Sequence, residues 1–480
     1  MPSTMRNSLA TQLKNVFSNF REAYMETLLA LFAVAVTILA GWAMIKRYQT
    51  HLVLLFAGLA IFLAAIALGE TNILPKGMKP SGFIGFDIID LLRNIGTKQS
   101  AGTGFIIMTA GGFAAYMDKI GAARALVNFA VKPLQMSKAP YIVLVGGYLV
   151  GQFLVMMIPS AAGLAMLLLV ALYPILTGVG VSAASAAAVI GTSAGMCLGP
   201  ASGTANLAAR TAGLDPIIYF VQCQIPVAIP TLIAVCIAHY FVQRYYDRKA
   251  DDVYAEATEV KKSDAPEVPG WYALFPCLPI VLMVIFSKLV VTSVKLNTIS
   301  ALMLVWILVI IVEWIRLRDP KRVFKDALSF FQAMGKMFAG IVSLIICAEF
   351  FANALKISGL IDILINSAHG LNAGTNFMTV ILAAIVGLVT FLTGSGVGAY
   401  SSFAALAPDV AAGLGGSVSA LVTPMQFASG MLRAMSPVAG VIIAVAGAAG
   451  VSPMAIVRRT WIPMMVGMVV TCIANAIFLA

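Results

Sequence analysis

Two charged side chains stand deep inside apolar runs: Arg433 in MLRAMSPVAG and Glu349 in SLIICAEFFANAL. A guanidinium presents a rigid fork of N–H donors that matches a carboxylate bidentately. Arg433 therefore suits recognition of an organic acid, unless a carboxylate of its own chain occupies it. A carboxyl group taken out of water carries a proton or holds a cation. Glu349 is thus a candidate for ion or proton coupling, or a structural partner for Arg433 or Lys336. Small polar residues gather at three further places: GTSAGMCLGPASGTAN (residues 191–206), PSAAG (159–163) and TGSG (393–396). From these come the candidate substrate contacts Ser160, Ser202, Gly203, Thr204, Thr393, Gly394, Ser395 and Gly396, joined by Arg433 and Ser436. Thr192, Ser193, Asn206 and Ser429 join Glu349 as candidates for coupling. Each hydroxyl can equally satisfy a helix carbonyl.

The same inventory excludes other chemistry. HExxH and clustered His/Asp are absent, so no catalytic residue is assigned and an enzyme is not expected. Six cysteines without a CxxC read as small buried hydrophobes, and three scattered histidines make no metal site. No cofactor is expected beyond a coupling proton or sodium ion.

The elements that must position these residues are membrane helices. Of 480 residues, 60% are hydrophobic and 11% charged, with a mean hydropathy of +0.95. This is an all-α polytopic membrane protein, with the lipid bilayer as its surroundings. The net charge of +11 reports cytoplasmic loops rather than nucleic-acid binding. Residues 1–26 form a polar arm with no cleavable signal pattern.

The chain repeats itself. Pro200, Gly203, Gly213, Pro216 and Pro226 match Pro437, Gly440, Gly450, Pro453 and Pro463 at a constant offset of 237 residues. Phe113, Ala115, Lys119 and Ile120 match Phe350, Ala352, Lys356 and Ile357 at the same offset. The halves run over 27–243 and 271–480, joined by a charged linker at 244–270. Hydropathy gives the first half spans near 27–45, 52–70, 103–118, 182–212 and 217–243, and the second half spans near 271–292, 298–316, 335–356, 418–449 and 454–479. The segments 141–178 and 377–412 are too long for one crossing and turn at PSAAG and GSGVG, which reads as re-entrant hairpins. Five spans plus one hairpin per half is an odd number of crossings, so the second copy inserts upside down, an inverted repeat. Basic residues concentrate at 46–47, 119–138, 244–262, 316–325 and 458–459, which places those loops inside and both termini outside.

Within this frame the broken helices acquire a purpose. An unsatisfied backbone group in hydrocarbon costs several kcal/mol, so a break at the midplane survives only where protein or a cavity covers it. Ser436-Pro437 reads as an N-cap followed by proline at the first helical position, and Ser202 as a similar cap. Ser160 and Ser395 begin further helices at the hairpin turns. Free N–H groups at such ends favour an anion. Ends aimed at one centre from opposite sides suit a small organic dianion.

These segments carry a resemblance. Two repeats of five spans and a hairpin with paired breaks resemble the ion-transporter superfamily, whose fold is shared with the divalent-anion/sodium symporters. GTSAGMCLGPASGTANLAA and the run from TGSGVGAYSSFAALAPD to SPMAIVRRTWIP are similar to the DcuC family of anaerobic four-carbon dicarboxylate carriers. The resemblance implies a homodimer in the bacterial inner membrane that moves succinate, fumarate or malate by an elevator-type mechanism, in exchange, uptake or efflux. One departure matters. The sodium-coupled relatives carry Ser-Asn-Thr at each hairpin tip. Here the tips read Pro159-Ser160-Ala161 and Gly394-Ser395-Gly396, so only the serines carry over. Proton coupling, or antiport without an ion, is favoured over sodium. Another organic anion, or cation/proton antiport centred on Glu349, is the alternative on the same fold.

Overall fold

The structure is a computed structural model. It describes residues 25, 27–44, 46, 48–70, 73–75, 78–249, 267–286, 293, 294, 296–360, 363 and 374–479. The polar arm, apart from Met25, and residues 250–266 of the linker lie outside this set. Every regular element among the described residues is a helix. Among the described residues, seven helices are long and apolar enough to cross a membrane: Thr27–Met44, Thr50–Ala67, Pro216–Lys249, Thr298–Leu317, Pro320–Ile357, Thr375–Thr393 and Pro453–Phe478.

Several boundaries differ from the expected spans, each for a local reason. The span expected at 335–356 begins at Pro320, because Asp319 caps the helix by accepting from the Arg322 N–H at 3.2 Å and proline fits its first turn. Lys321, Arg322 and Lys325 are therefore helical rather than in a loop. The helix expected to end at 243 runs to Lys249. The span expected at 103–118 continues the helix Ile84–Gln99 through a π turn, Ser100–Gly104, kinked at Gly102. The span expected at 271–292 starts as a 3₁₀ turn, Gly270–Leu274, followed by the short helix Leu278–Ile285.

The order of elements recurs along the chain. The π turn Ser100–Gly104 has a counterpart in Phe338–Val342. Left-handed glycines punctuate both halves in step: Gly121, Gly180 and Gly213, then Gly359, Gly415 and Gly450. A capping serine, Ser160 or Ser395, opens the second arm of each helix–turn–helix.

The chain forms two compact units. One comprises Met1–Thr97 and Ile346–Ala373. Within it Gly58 lets the helix Thr50–Ala67 approach Phe350 and Phe351, and the Phe62 and Phe350 rings lie 5.0 Å apart. The other comprises Lys98–Ile345 and Gly374–Ala480. Ten of its helices build the site and are labelled in chain order: α1 Pro140–Leu154, α2 Ala161–Ala171, α3 Ala183–Thr192, α4 Gly203–Thr211, α5 Ile225–Lys249, α6 Thr375–Thr393, α7 Gly396–Ala404, α8 Val418–Ala434, α9 Gly440–Ala449 and α10 Pro453–Phe478. α1–α2 and α6–α7 are the two helix–turn–helix pairs, and α3–α4 and α8–α9 are the two broken helices.

Proline inside a helix leaves the carbonyl four residues earlier without its donor. Pro424 in α8 orphans Ala420 O, and Asn475 Nδ2 of α10 supplies the missing bond at 2.9 Å. Pro463 in α10 orphans Arg459 O, and Gln243 Nε2 of α5 supplies it at 2.8 Å. Polar side chains in apolar helices are thus committed to repairing backbone, as hydrocarbon requires.

Candidate functional site

The first break is the stretch 193–202 between α3 and α4, turned by left-handed backbone at Cys197 and Gly199. Side chains take up five of its carbonyls. Arg433 Nη2 donates to Ala194 O at 3.0 Å. Gln426 Nε2 donates to Met196 O at 3.0 Å and to Cys197 O at 3.3 Å. Asn206 Nδ2 donates to Pro200 O at 2.7 Å and to Ser202 O at 2.8 Å. Gln224 accepts from the Gly199 N–H at 3.0 Å and donates to Gln426 Oε1 at 2.9 Å. Amides and one guanidinium from neighbouring helices thus cover this polar knot in an apolar chain. α8 crosses it closely, because a Cβ on Gly430 would lie 2.1 Å from Gly195 O.

The second break falls between α8 and α9. Sequence placed its helix start at Ser436-Pro437; the structure starts α9 at Gly440 with Ala439 at the cap position. Ser436 turns away because its hydroxyl donates to Phe391 O of α6 at 2.6 Å. It thereby ties the break to the α6–α7 pair. The tip of that pair rests on α8: a Cβ on Gly396 would lie 2.2 Å from Ser429 O. Thr393 Oγ1 accepts from the Ser395 N–H at 3.2 Å, and Ser395 Oγ caps α7 by accepting from Gly398 N at 3.2 Å.

The four expected helix starts therefore divide into two kinds. Ser160 and Ser395 cap their own helices, Ser160 accepting from Gly163 N at 3.2 Å. No side chain caps α4 or α9. Ser202 stands at the cap position of α4, but its hydroxyl pairs with Thr204 Oγ1 at 3.3 Å. The breaks, not the tips, hold the uncapped ends.

Arg433 joins the two breaks. It is half-buried, its Nη2 rests on Ala194 O, and its buried Nε has no hydrogen-bond partner. No carboxylate among the described residues lies within ion-pair range of it.

The remaining candidates are more dispersed. Thr192 and Ser193 hydroxyls donate back to carbonyls of α3, and Ser429 donates to Gln426 O at 2.7 Å. Asn206 is occupied in closing the first break. Ser160 is exposed at the first tip and shares no hydrogen bond with the other candidates. Glu349 belongs to the other compact unit, on the helix Ser343–Ile357. Among the described residues no His/Cys/Asp/Glu group could hold a metal ion.

The residue-by-residue reading missed the amides. Gln152, Gln224, Gln243 and Gln426 all lie buried in apolar runs, a signal as legible in sequence as that of Arg433. It also misplaced Arg459. Instead of lying in a cytoplasmic loop, Arg459 is 2% exposed and pairs with Asp247 at 2.8 Å. Glu313, likewise unremarked, is buried against Tyr272 and Arg316.

Apolar spans, side-chain-covered helix breaks and a guanidinium with no carboxylate partner among the described residues define a multi-pass membrane protein. The family profile of the C4-dicarboxylate anaerobic carriers matches residues 28–479. The chain belongs to this family, DcuC, and is a multi-pass protein of the bacterial inner membrane. It is 32% identical over 448 residues to the probable anaerobic C4-dicarboxylate transporter DcuC of Vibrio cholerae, covering 93% of this chain and 97% of that one. It is 32% identical over 444 residues to the Escherichia coli K12 anaerobic C4-dicarboxylate transporter DcuC, covering 92% and 95%. The fold is similar to that of Neisseria gonorrhoeae MtrF, from a class of antimetabolite efflux pumps, with a TM-score of 0.62 at 13% identity over 93% of this chain and 97% of that one. It is similar also to the Alcanivorax borkumensis YdaH transporter, with a TM-score of 0.61 at 14% identity over 92% and 98%.

Proposed function

We propose that the protein is a secondary carrier of four-carbon dicarboxylates such as succinate, fumarate and malate, working by elevator-type alternating access. The observation that carries this reading is Arg433, a half-buried guanidinium with no carboxylate partner among the described residues and with its Nε unfilled. A charge in that position needs an anion, and the family profile supports a dicarboxylate. One substrate carboxylate docks on Arg433. The other docks at the uncapped N-terminus of α4, on Ser202, Gly203 and Thr204. The tip Thr393–Gly396 closes over the substrate, Ser436 holds that tip to the second break, and Ser160 contributes from the opposite hairpin.

The recurring element order supports reading the halves as inverted repeats, each with five spans and a re-entrant hairpin. The first two spans of each half act as scaffold and homodimer contact, and the hairpins with the broken helices move. Glu349 serves as the coupling group, for a proton in preference to sodium, because neither tip carries the Asn and Thr of the sodium-coupled pattern.

The test is succinate flux into liposomes holding the purified protein, with internal dicarboxylate and then with a sodium or proton gradient alone. Uptake driven by internal dicarboxylate is the expected result, and the gradient arms assign coupling. Absence of flux from folded protein in every arm overturns the dicarboxylate reading and leaves another organic anion, or cation/proton exchange at Glu349.

A further inference from the structure

His239 is an ionisable group wholly inside the second unit, 0% exposed on α5, and the proposed site gives it no task. Its Nε2 lies 3.2 Å from Thr192 Oγ1 and its Nδ1 lies 3.2 Å from Gln243 Nε2. A neutral imidazole in such a place has two tautomers, and the neighbours decide between them.

The decision starts at Pro463. Proline has no N–H, so Arg459 O lacks its helical donor, and the atom 2.8 Å from that oxygen must donate. That atom is the Gln243 amide nitrogen, which fixes the amide's orientation. The amide oxygen then faces Ser185, whose hydroxyl donates to it at 3.0 Å. The same amide nitrogen faces His239 Nδ1, which must therefore be an unprotonated acceptor. The ring proton sits on Nε2 and is donated to Thr192 Oγ1. Thr192 passes its own hydroxyl proton to Ala188 O and Val189 O, both at 3.0 Å.

The charged and titratable groups around the ring offer no seat for an imidazolium. From α1 comes the Tyr148 ring, 5.1 Å away. From α3 come only hydroxyls, Ser185 and Thr192. α5 itself carries Cys236 and Asp247, and α10 carries Arg459. Asp247 accepts from Arg459 at 2.8 Å, from Ser182 at 2.6 Å and from Tyr141 at 3.3 Å, shares the Ser185 hydroxyl proton with Gln243 at 2.8 Å, and shares no hydrogen bond with His239. The Arg459 guanidinium also lies 5.3 Å from the Tyr246 ring centroid. Protonating Nδ1 would set a donor against a donor and a positive charge near Arg459.

We infer that His239 is held as the neutral Nε2–H tautomer and acts as a positioning residue for the first break, not as the carrier of a coupling proton. Thr192 ends α3, and Ala194, two residues on, receives Arg433. The sequence Pro463, Gln243, His239, Thr192 thus fixes the backbone on which the guanidinium rests. The link to transport rests on the proposed dicarboxylate site; the tautomer does not.

The experiment has two arms. In the first, ¹⁵N-histidine NMR is recorded on the full chain in lipid between about pH 5 and pH 8, with the His239 signals assigned by their loss in His239→Gln or their shift in Thr192→Val. One protonated Nε2 and one unprotonated Nδ1 throughout is expected. A proton on Nδ1, or on both nitrogens, overturns the inference, whatever the protein transports. In the second arm, His239→Asn and Thr192→Val each raise the KM for succinate about two- to tenfold, as loss of one net hydrogen bond would, while maximal rate stays nearly constant. His239→Gln, which keeps a donor toward Thr192, leaves the shape of the flux–pH profile unchanged. A profile that flattens in His239→Gln, or proton-driven uptake that vanishes in it, assigns the coupling proton to His239 and overturns the inference. Variants that fail to insert leave the spectrum of the unsubstituted chain to decide. Absence of flux in the parent protein defeats the dicarboxylate reading alone.

Discussion

Arg433→Lys keeps a positive charge at the break and removes the fork. A lysine ammonium is a point charge and cannot present two parallel donors to one carboxylate. A hydrogen bond to a charged group contributes about 1.5–3 kcal/mol, and 1.4 kcal/mol is about tenfold in affinity. Loss of one arm should therefore weaken dicarboxylate binding about 10- to 100-fold. Arg433→Ala removes both arms and also the donor at 3.0 Å from Ala194 O. That carbonyl then stands unsatisfied within the break, at a cost of about 1–3 kcal/mol in stability. The two variants separate recognition from folding. Lysine should lose affinity with little change in Tm, whereas alanine should lose both. Binding is read by calorimetry with succinate in detergent, and stability by thermal melting of the same samples. Wild-type affinity and flux in Arg433→Ala would refute the reasoning, because no other guanidinium touches the first break among the described residues.

Four further outcomes follow from particular contacts. Gly396→Ala places a Cβ 2.2 Å from Ser429 O, so the tip must lift, at a cost of about 1–3 kcal/mol; dicarboxylate flux should fall more than about tenfold while the protein still inserts, measured by uptake and size-exclusion profile. Asp247→Ala removes the carboxylate 2.8 Å from the buried Arg459 and should cost about 3–5 kcal/mol, whereas Asp247→Ala with Arg459→Met should recover most of the loss in a melting experiment. Asn475→Ala should destabilise when Pro424 is present, and much less in Pro424→Ala, because the Asn475 bond to Ala420 O replaces one that proline removed; the double-mutant cycle by thermal melting reads the coupling. Ser395→Ala removes the cap on α7 and should cost about 0.5–2 kcal/mol, again read as Tm.

The architecture was legible where backbone chemistry leaves a mark in composition. Gly and Pro at a constant offset suggested a repeat, and π turns at Ser100–Gly104 and Phe338–Val342 and capping serines at 160 and 395 recur at offsets close to it. The hairpin serines were found because a capping hydroxyl before a small-residue helix has a local signature. Ser436 was misread because the same signature fits Ser-Pro, while its hydroxyl is claimed by Phe391 O, 45 residues away in sequence. Helix ends at 249 and 320 were misplaced because charged residues were read as loop, although Asp247 is satisfied by partners on three other helices. The amides that cover the first break were illegible for a related reason. Their value depends on which carbonyl each one meets, and Gln426 meets Met196 O across 230 residues.

The two helix breaks differ in charge. Met196 occupies, in the first break, the repeat position that Arg433 occupies in the second. Yet Arg433 reaches across to Ala194 O, so the one guanidinium serves the break that lacks its own. A base in each half would place two uncompensated charges at membrane depth, each costing about 2.5–3.5 kcal/mol on insertion scales. In the proposed site a single base, with uncapped helix ends for the remaining charge, would lower that cost in the empty protein while still distinguishing a dianion from a monoanion. The argument has a direct consequence. Introducing the symmetric base, Met196→Arg, should impair insertion or stability more than it improves dicarboxylate affinity, because Met196 is fully buried and no carboxylate among the described residues forms an ion pair in this break. Parallel measurement of membrane-inserted yield and succinate affinity decides the matter: a well-inserted variant with tighter binding would mean that desolvation is not what keeps the site one-sided.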